Sequence, residues 1–185
     1  MVEIKGAAII DAISAIKIMN GDQAYNDIIS QLDEQTRQLF EKPILDIGWY
    51  SLASFMKFME SVIKLTENGN EETLIDRAGD VVEKQLKGMY KIFVKLGSPE
   101  FVIKRMSVLN LAYLRGISSK TKFDGSNKAI ITYTGFEKQH RLFQVNILGF
   151  YKKALEISGA KDIHIQYLTR IEEGKGYCEL EITWV

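Results

Sequence analysis

Ile163-His164-Ile165-Gln166-Tyr167, followed by Cys178-Glu179-Leu180-Glu181-Ile182-Thr183-Trp184, decides the fold class. Ile163, Ile165, Tyr167 and Ile171 alternate with His164, Gln166 and Arg170; Cys178, Leu180, Ile182 and Trp184 alternate with Glu179, Glu181 and Thr183. Successive side chains of a strand point to opposite faces, so this alternation predicts two half-buried antiparallel strands. Glu173-Gly174-Lys175-Gly176 joins them and opens no helix, which makes it a turn and not a phosphate loop. The two apolar sets share a face only if paired residue numbers add to an odd sum. A four-residue loop closing at Glu172 and Tyr177 then sets Ile171 against Cys178 and Arg170 against Glu179.

Upstream of this hairpin lies a second one: Thr121–Phe123 and Ala129–Thr134 flank the turn-rich Asp124-Gly125-Ser126-Asn127. A helix from about Glu137 to Ser158 separates the hairpins and ends at Gly159. Its Leu142–Tyr151 stretch is apolar on most sides, broken by Gln144, Asn146 and Gly149, which predicts burial on two faces. Everything earlier reads as helix. Ile9, Ala12, Ile13 and Ile16 recur at spacings of three and four until Asn20-Gly21, where Asp22 caps a second helix to about Leu32 and Asp33 a third to about Glu41. Leu52, Phe55, Met56, Met59, Val62 and Ile63 form the clearest stripe, over Ser51–Leu65. Asn70 caps a long helix reaching about Lys95, and Ser98-Pro99-Glu100 starts another that Gly116 closes. The fold class is therefore α+β: an N-terminal helical bundle packed on a small C-terminal antiparallel sheet. One domain spans 1–185, with a helical part over 1–116 and a hairpin, helix and hairpin over 117–185.

Composition narrows the chemistry. The 185 residues carry 24 basic and 24 acidic side chains, which argues against a general nucleic-acid binder. One cysteine excludes an intrachain disulfide and any Cys-rich metal site. No apolar run approaches the roughly 18 residues of a membrane span, and the N-terminus lacks a basic-then-apolar signal, so a soluble cytoplasmic protein is expected. His164 falls on the polar side of its strand and His140 in a polar first turn; both read as solvated, with no HExxH-type metal spacing. Cys178, in phase with Leu180 and Ile182, reads as a small buried hydrophobe. Lys84, Lys87, Lys91 and Lys95 form a basic stripe that the balanced charge assigns to a solvated face. Glu179 and Glu181 share a strand face, and a surface ion pair with Arg170 is expected. The aromatics are more suggestive: Trp49-Tyr50 at a loop-to-helix junction, Tyr113 at a helix end, and Phe143, Phe150 and Tyr151 crowded on one helix can wall a pocket between bundle and sheet.

Several segments occur in a familiar order: Ile47-Gly48-Trp49-Tyr50-Ser51, Asp76-Arg77-Ala78-Gly79, Gly97-Ser98-Pro99-Glu100, Tyr113-Leu114-Arg115-Gly116, Leu148-Gly149-Phe150, Ser158-Gly159-Ala160, and Gly174 through Cys178 to Trp184. In these the chain resembles an uncharacterised myxobacterial-type family related to 4-vinyl reductase domains. The wider superfamily also holds haem–nitric-oxide-binding domains and subunits of the vesicle-tethering transport particle. The resemblance implies a helical bundle against an antiparallel sheet, an internal cavity in many members, and a haem, an acyl chain or another hydrophobic ligand in some. Others act through dimerisation. Haem-binding relatives use an axial histidine on a mid-chain helix and a Tyr-x-Ser-x-Arg motif. Residues 71–115 contain no histidine, and Tyr167-Leu168-Thr169-Arg170 has different spacing, so no haem and no other cofactor is expected. The second cysteine common in 4-vinyl reductase domains is absent, with Thr169 in that area, so no metal is expected either. The resulting reading is a non-enzymatic domain that binds or senses a small hydrophobic molecule. Trp49, Tyr113, Phe143 and Phe150 are its wall and Arg115 its anchor for a carboxylate. A homodimeric protein–protein interaction module in signalling, with no ligand, is the alternative.

Overall fold

The computed structural model describes residues 1–87 and 98–185. They fall into two compact units: Met1–Thr73 with Tyr113–Gly116, and Leu74–Ala112 with Ile117–Val185. Leu74–Ala112 is grouped with the C-terminal strands.

The first unit holds β1 (Glu3–Lys5), α1 (Gly6–Ser30), α2 (Glu34–Phe40), β2 (Trp49–Ser51), α3 (Leu52–Thr66) and β3 (Leu114–Arg115). α3 carries the predicted stripe. Ser51 Oγ accepts the Ser54 N–H at 3.2 Å, and Leu52, Phe55, Met56, Phe58, Met59, Val62 and Ile63 are buried. Phe58 meets Phe40 at 4.5 Å and Phe55 at 6.2 Å between ring centroids, which ties α2 to α3. Asp33 caps α2 as expected: its carboxylate accepts the Thr36 N–H and the Lys57 ammonium, each at 2.9 Å. Those contacts, Lys57 foremost, hold its carboxyl down at about 2. At Gly21 the chain leaves helical dihedrals (φ 86°, ψ 165°), so α1 is two helical segments broken at the expected glycine. Asp22 pairs with Lys17 at 2.9 Å.

The sheet of this unit, in the order β2-β1-β3, was not anticipated. It is antiparallel, with Ile4 opposite both Tyr50 and Leu114. Close backbone contact at glycine holds it. The Gly6 N–H donates to Gly48 O at 2.9 Å, and a Cβ on Gly6 would lie 1.9 Å from Leu45 O. Tyr50 OH completes the corner by accepting the Leu45 N–H at 2.8 Å.

The second unit holds α4 (Thr73–Lys87, whose first residue lies in the first unit), α5 (Pro99–Tyr113, whose last does), β4 (Ser118–Phe123), β5 (Lys128–Thr134), α6 (Arg141–Ile157), β6 (His164–Thr169) and β7 (Tyr177–Thr183). Three-residue 3-10 turns occupy Lys138–His140 and Ile171–Glu173. The long helix expected to reach Lys95 is described as far as Lys87; Lys91 and Lys95 of the basic stripe, and the side chains of Lys84 and Lys87, lie outside the described residues. The sheet order is β4-β5-β7-β6, antiparallel throughout. Its core face carries Ala129, Ile131, Tyr133, Cys178, Leu180 and Ile182, all fully buried, as are Tyr151, Ala154 and Leu155 of α6. The mixed α+β class, helices first and an antiparallel sheet last, is as read from the sequence.

The hairpin register needs one correction. Ile165 pairs with Ile182 and Tyr167 with Leu180, so the odd sum holds, but each partner is two residues away from the expected one. The connection is longer than four residues because Ile171–Glu173 winds into a 3-10 turn, with Arg170 at its N-cap and Gly174 left-handed at its end. Arg170 thus leaves the strand. Glu179 lies opposite Thr169 across an irregularity and accepts the Thr132 hydroxyl at 2.9 Å, and Glu181 takes Lys128 at 2.6 Å.

Candidate functional site

The structure unites two of the five candidate side chains. Trp49 on β2 and Arg115 on β3 flank β1, and the Arg115 guanidinium lies over the indole at 4.0 Å. Trp49 is half-buried and Arg115 exposed, so the cation rests over the indole at the surface of the unit. A planar, oriented guanidinium suits bidentate capture of a carboxylate. Tyr113, half-buried, is the last residue of α5 and belongs to the same unit. Phe143 and Phe150 lie in the other unit, half-buried on α6, with Phe143 against Phe136 at 5.5 Å.

The sequence missed a groove between α4 and α6. It encloses about 280 Å³ and is lined by Ile75, Gly79, Asp76, Asp80, Lys152 and Glu156, among others. Gly149 sets the crossing, since a Cβ there would lie 2.1 Å from Ile75 O. Asp76 and Gly79 of α4 meet Gly149 of α6 here. The rim mixes both charge signs, and Lys153 is engaged with Glu83 at 3.0 Å.

Gln144 also had a role that its sequence context concealed. Placed as a mere break in an apolar run, it is buried and tied on every side. Its Oε1 accepts the Ile171 N–H at 3.1 Å, its Nε2 donates to Glu172 at 2.7 Å, and its carbonyl accepts the Tyr167 hydroxyl at 2.7 Å. Deep in the same core the Tyr133 and Tyr151 hydroxyls meet at 2.9 Å. Burial pushes the Tyr167 phenol well above its usual range and the Cys178 thiol up to about 12. Cys178 is therefore a protonated core residue, as its strand phase predicts.

His164 is exposed at the sheet edge. His140 departs from expectation: it is 2% exposed, because the 3-10 turn rolls it inward against Phe136. Its Nδ1 accepts the Glu137 N–H at 2.9 Å. A neutral ring accepting at Nδ1 carries its proton on Nε2, and burial favours that neutral form. Nε2 then has no lone pair for a metal. Among the described residues no group of His, Cys, Asp and Glu is arranged to hold a metal ion.

No protein-family model matches the sequence, and no curated protein does. Solved structures do match. A crystal structure of the Fe(II) unliganded H-NOX protein from K. algicida is 14% identical, covers 98% of this chain and 97% of its own, and superposes with a TM-score of 0.74. An H-NOX protein from S. oneidensis in the Fe(II)NO ligation state is 12% identical, with coverage of 98% and 99% and a TM-score of 0.74. A structure from work on heme distortion in the H-NOX family is 12% identical, with coverage of 98% and 95% and a TM-score of 0.67. At such identity the likeness establishes the fold alone, the one these H-NOX structures share.

The likeness also corrects the expectation of no cofactor. The matching structures are of iron-ligating, haem-associated proteins over nearly their whole length, so haem cannot be set aside on the ground that residues 71–115 lack a histidine. The described donors are not poised for iron in this conformation: His140 has its proton on the wrong nitrogen, His164 sits on an exposed edge, and the Cys178 thiol is buried and protonated.

Proposed function

We propose that this chain is a non-catalytic sensor domain that binds a small molecule, on the pattern of the ligand-binding branches its sequence resembles. The supporting observation is a whole-chain likeness, 98% of this chain against 97% and 99% of two H-NOX chains, with no large insertion to supply a different activity. Trp49 and Arg115 are the contact residues with the strongest geometric support. The guanidinium held over the indole receives a carboxylate of the ligand, and the indole contributes an apolar wall. Tyr113, in the same unit, joins that proposed contact set, and Phe143 and Phe150 on α6 are proposed as an apolar wall of the other unit by itself. The chain's resemblance to 4-vinyl reductase-type domains belongs to the same reading.

Purified protein is subjected to native mass spectrometry and organic extraction, then titrated with hemin and, separately, with a long-chain fatty acid. The reading expects one equivalent of one of the two titrants, with quenched tryptophan emission and a raised Tm. Hemin binding appears as a sharpened Soret band. Absence of a co-purified molecule, together with no response to either titrant, overturns it.

A second reading, a homodimeric interaction module, draws on Phe101, Val108 and Leu111, which stand exposed along α5. Sedimentation velocity separates the two: a dimer that takes up neither titrant favours the module.

Among the described residues no helix is long and apolar enough to cross a membrane.

A further inference from the structure

The two edges of the four-stranded sheet differ. At β6 the pairing with β7 slips between Tyr167 and Thr169, Leu168 bulges outward, and the strand runs directly into the 3-10 turn at Ile171. Such a kinked edge is a poor template for another strand. At β4 the register is unbroken from Ser118 opposite Thr134 to Phe123 opposite Ala129, and among the described residues β5 is its sole strand partner. A strand at an edge leaves alternate N–H and C=O groups pointing outward without a ladder partner.

The charge on this edge is directional. Lys120 and Lys122 are exposed and two apart, so they share the outer sheet face, opposite the side on which Phe123 meets the Lys104 ammonium at 4.9 Å. Cross-strand rows on that face run Lys120–Thr132–Glu179 and Lys122–Ile130–Glu181. The acids on β7 are already occupied: Glu179 accepts from Thr132, and Glu181 holds Lys128 and Gln166. The lysine ends have no ion pair among the described residues. Two lysines on an edge oppose pairing with a second copy of this chain, since antiparallel self-pairing would bring like charges together. They favour a strand with acids at alternate positions, which would extend each row to acid–Lys–Thr–Glu and acid–Lys–Ile–Glu.

We propose that β4 is a docking edge for an extended segment of a partner protein bearing carboxylates at every second residue. The segment adds a fifth strand: backbone hydrogen bonds supply affinity, and Lys120 and Lys122 supply orientation and register. This surface is independent of the small-molecule reading and stands or falls separately.

The test uses the full chain and a synthetic six-residue peptide alternating valine and glutamate, with a valine–lysine peptide as control, read by amide hydrogen exchange. At about ten times its Kd the acidic peptide slows exchange of the outward β4 amides roughly tenfold. Moderate salt weakens this effect, and the basic peptide has none. In the Lys120→Glu, Lys122→Glu double variant the preference reverses. Should that variant lose protection in β5, the Lys120→Gln, Lys122→Gln pair replaces it and loses the acidic preference. The proposal is overturned if β4 amides ignore the acidic peptide, if charge reversal leaves its effect intact, or if anionic phosphatidylglycerol vesicles protect β4 while the peptide does not.

Discussion

The four-stranded sheet presents an entire face of fully buried side chains, Ala129, Ile131, Tyr133, Cys178, Leu180 and Ile182, while the strands of the three-stranded sheet are two or three residues long and bury Ile4 and Leu114 between them. Apolar area keeps the first together. Backbone proximity keeps the second together: the Gly6 N–H donates to Gly48 O at 2.9 Å, and both glycines leave no room for a Cβ beneath the Tyr50 ring. The contrast teaches that an antiparallel sheet can rest on alternation of side chains or on their omission, and that only the first leaves a periodic trace in sequence.

Substitutions can break that contrast, and the largest effect belongs to the large sheet. Leu180→Ala removes a fully buried side chain from its central strand and is expected to cost about 2 to 5 kcal/mol in denaturant unfolding. Amide exchange should accelerate across β5, β6 and β7 while β1 keeps its protection. Next comes Gly6→Ala, the complementary lesion. Its Cβ falls 1.9 Å from a backbone oxygen that cannot rotate away, so a loss of about 1 to 3 kcal/mol is expected, with exchange rising in β1 and β2. If Gly6→Ala is silent while Leu180→Ala is severe, the account of the small sheet fails. A milder probe is Ser51→Ala, which deletes the cap of α3 at the end of β2 and should lower stability by about 1 kcal/mol in thermal unfolding.

The smallest effect is a pH dependence confined to the second unit. Burial lowers the His140 pKa below its usual 6.5, so between that value and the folded one the unfolded chain binds the extra proton. Stability is therefore lost as pH falls through 6.5 towards the folded pKa, and protonation also removes the acceptor for the Glu137 N–H. Replacing His140 by Gln should flatten that part of the stability profile measured by urea unfolding at successive pH values. A profile unchanged by the substitution would show that the ring contributes nothing there.

Much of the architecture was legible. Alternation over Ile163–Tyr167 and Cys178–Trp184, the turn at Asp124–Asn127, and the cap Asp33 are local signals with local causes. What escaped was set by distant partners. Strands of two or three residues are too short to show a period, and Leu114–Arg115 becomes a strand only because β1 is there to pair with it. The hairpin register moved by two because Ile171–Glu173 curls, and that curl depends on Gln144 receiving the Ile171 N–H from another element. Of the candidate site, Trp49 and Arg115 were chosen singly for their chemistry; their stacking depends on an intervening strand that the sequence does not announce. The histidine-poor helices spoke against haem, yet the fold they build is shared with H-NOX chains of 12% and 14% identity, a likeness that no local motif carries.

Cys178 has a practical use. It is the sole thiol of the chain, fully buried in the central strand, and its proton is held up to about 12. A thiol reagent reacts with thiolate and needs access, so in the native molecule it must wait for the strand to open. The rate at which a chromogenic disulfide consumes this single sulfur thus clocks the opening of the sheet, without a label or a substitution.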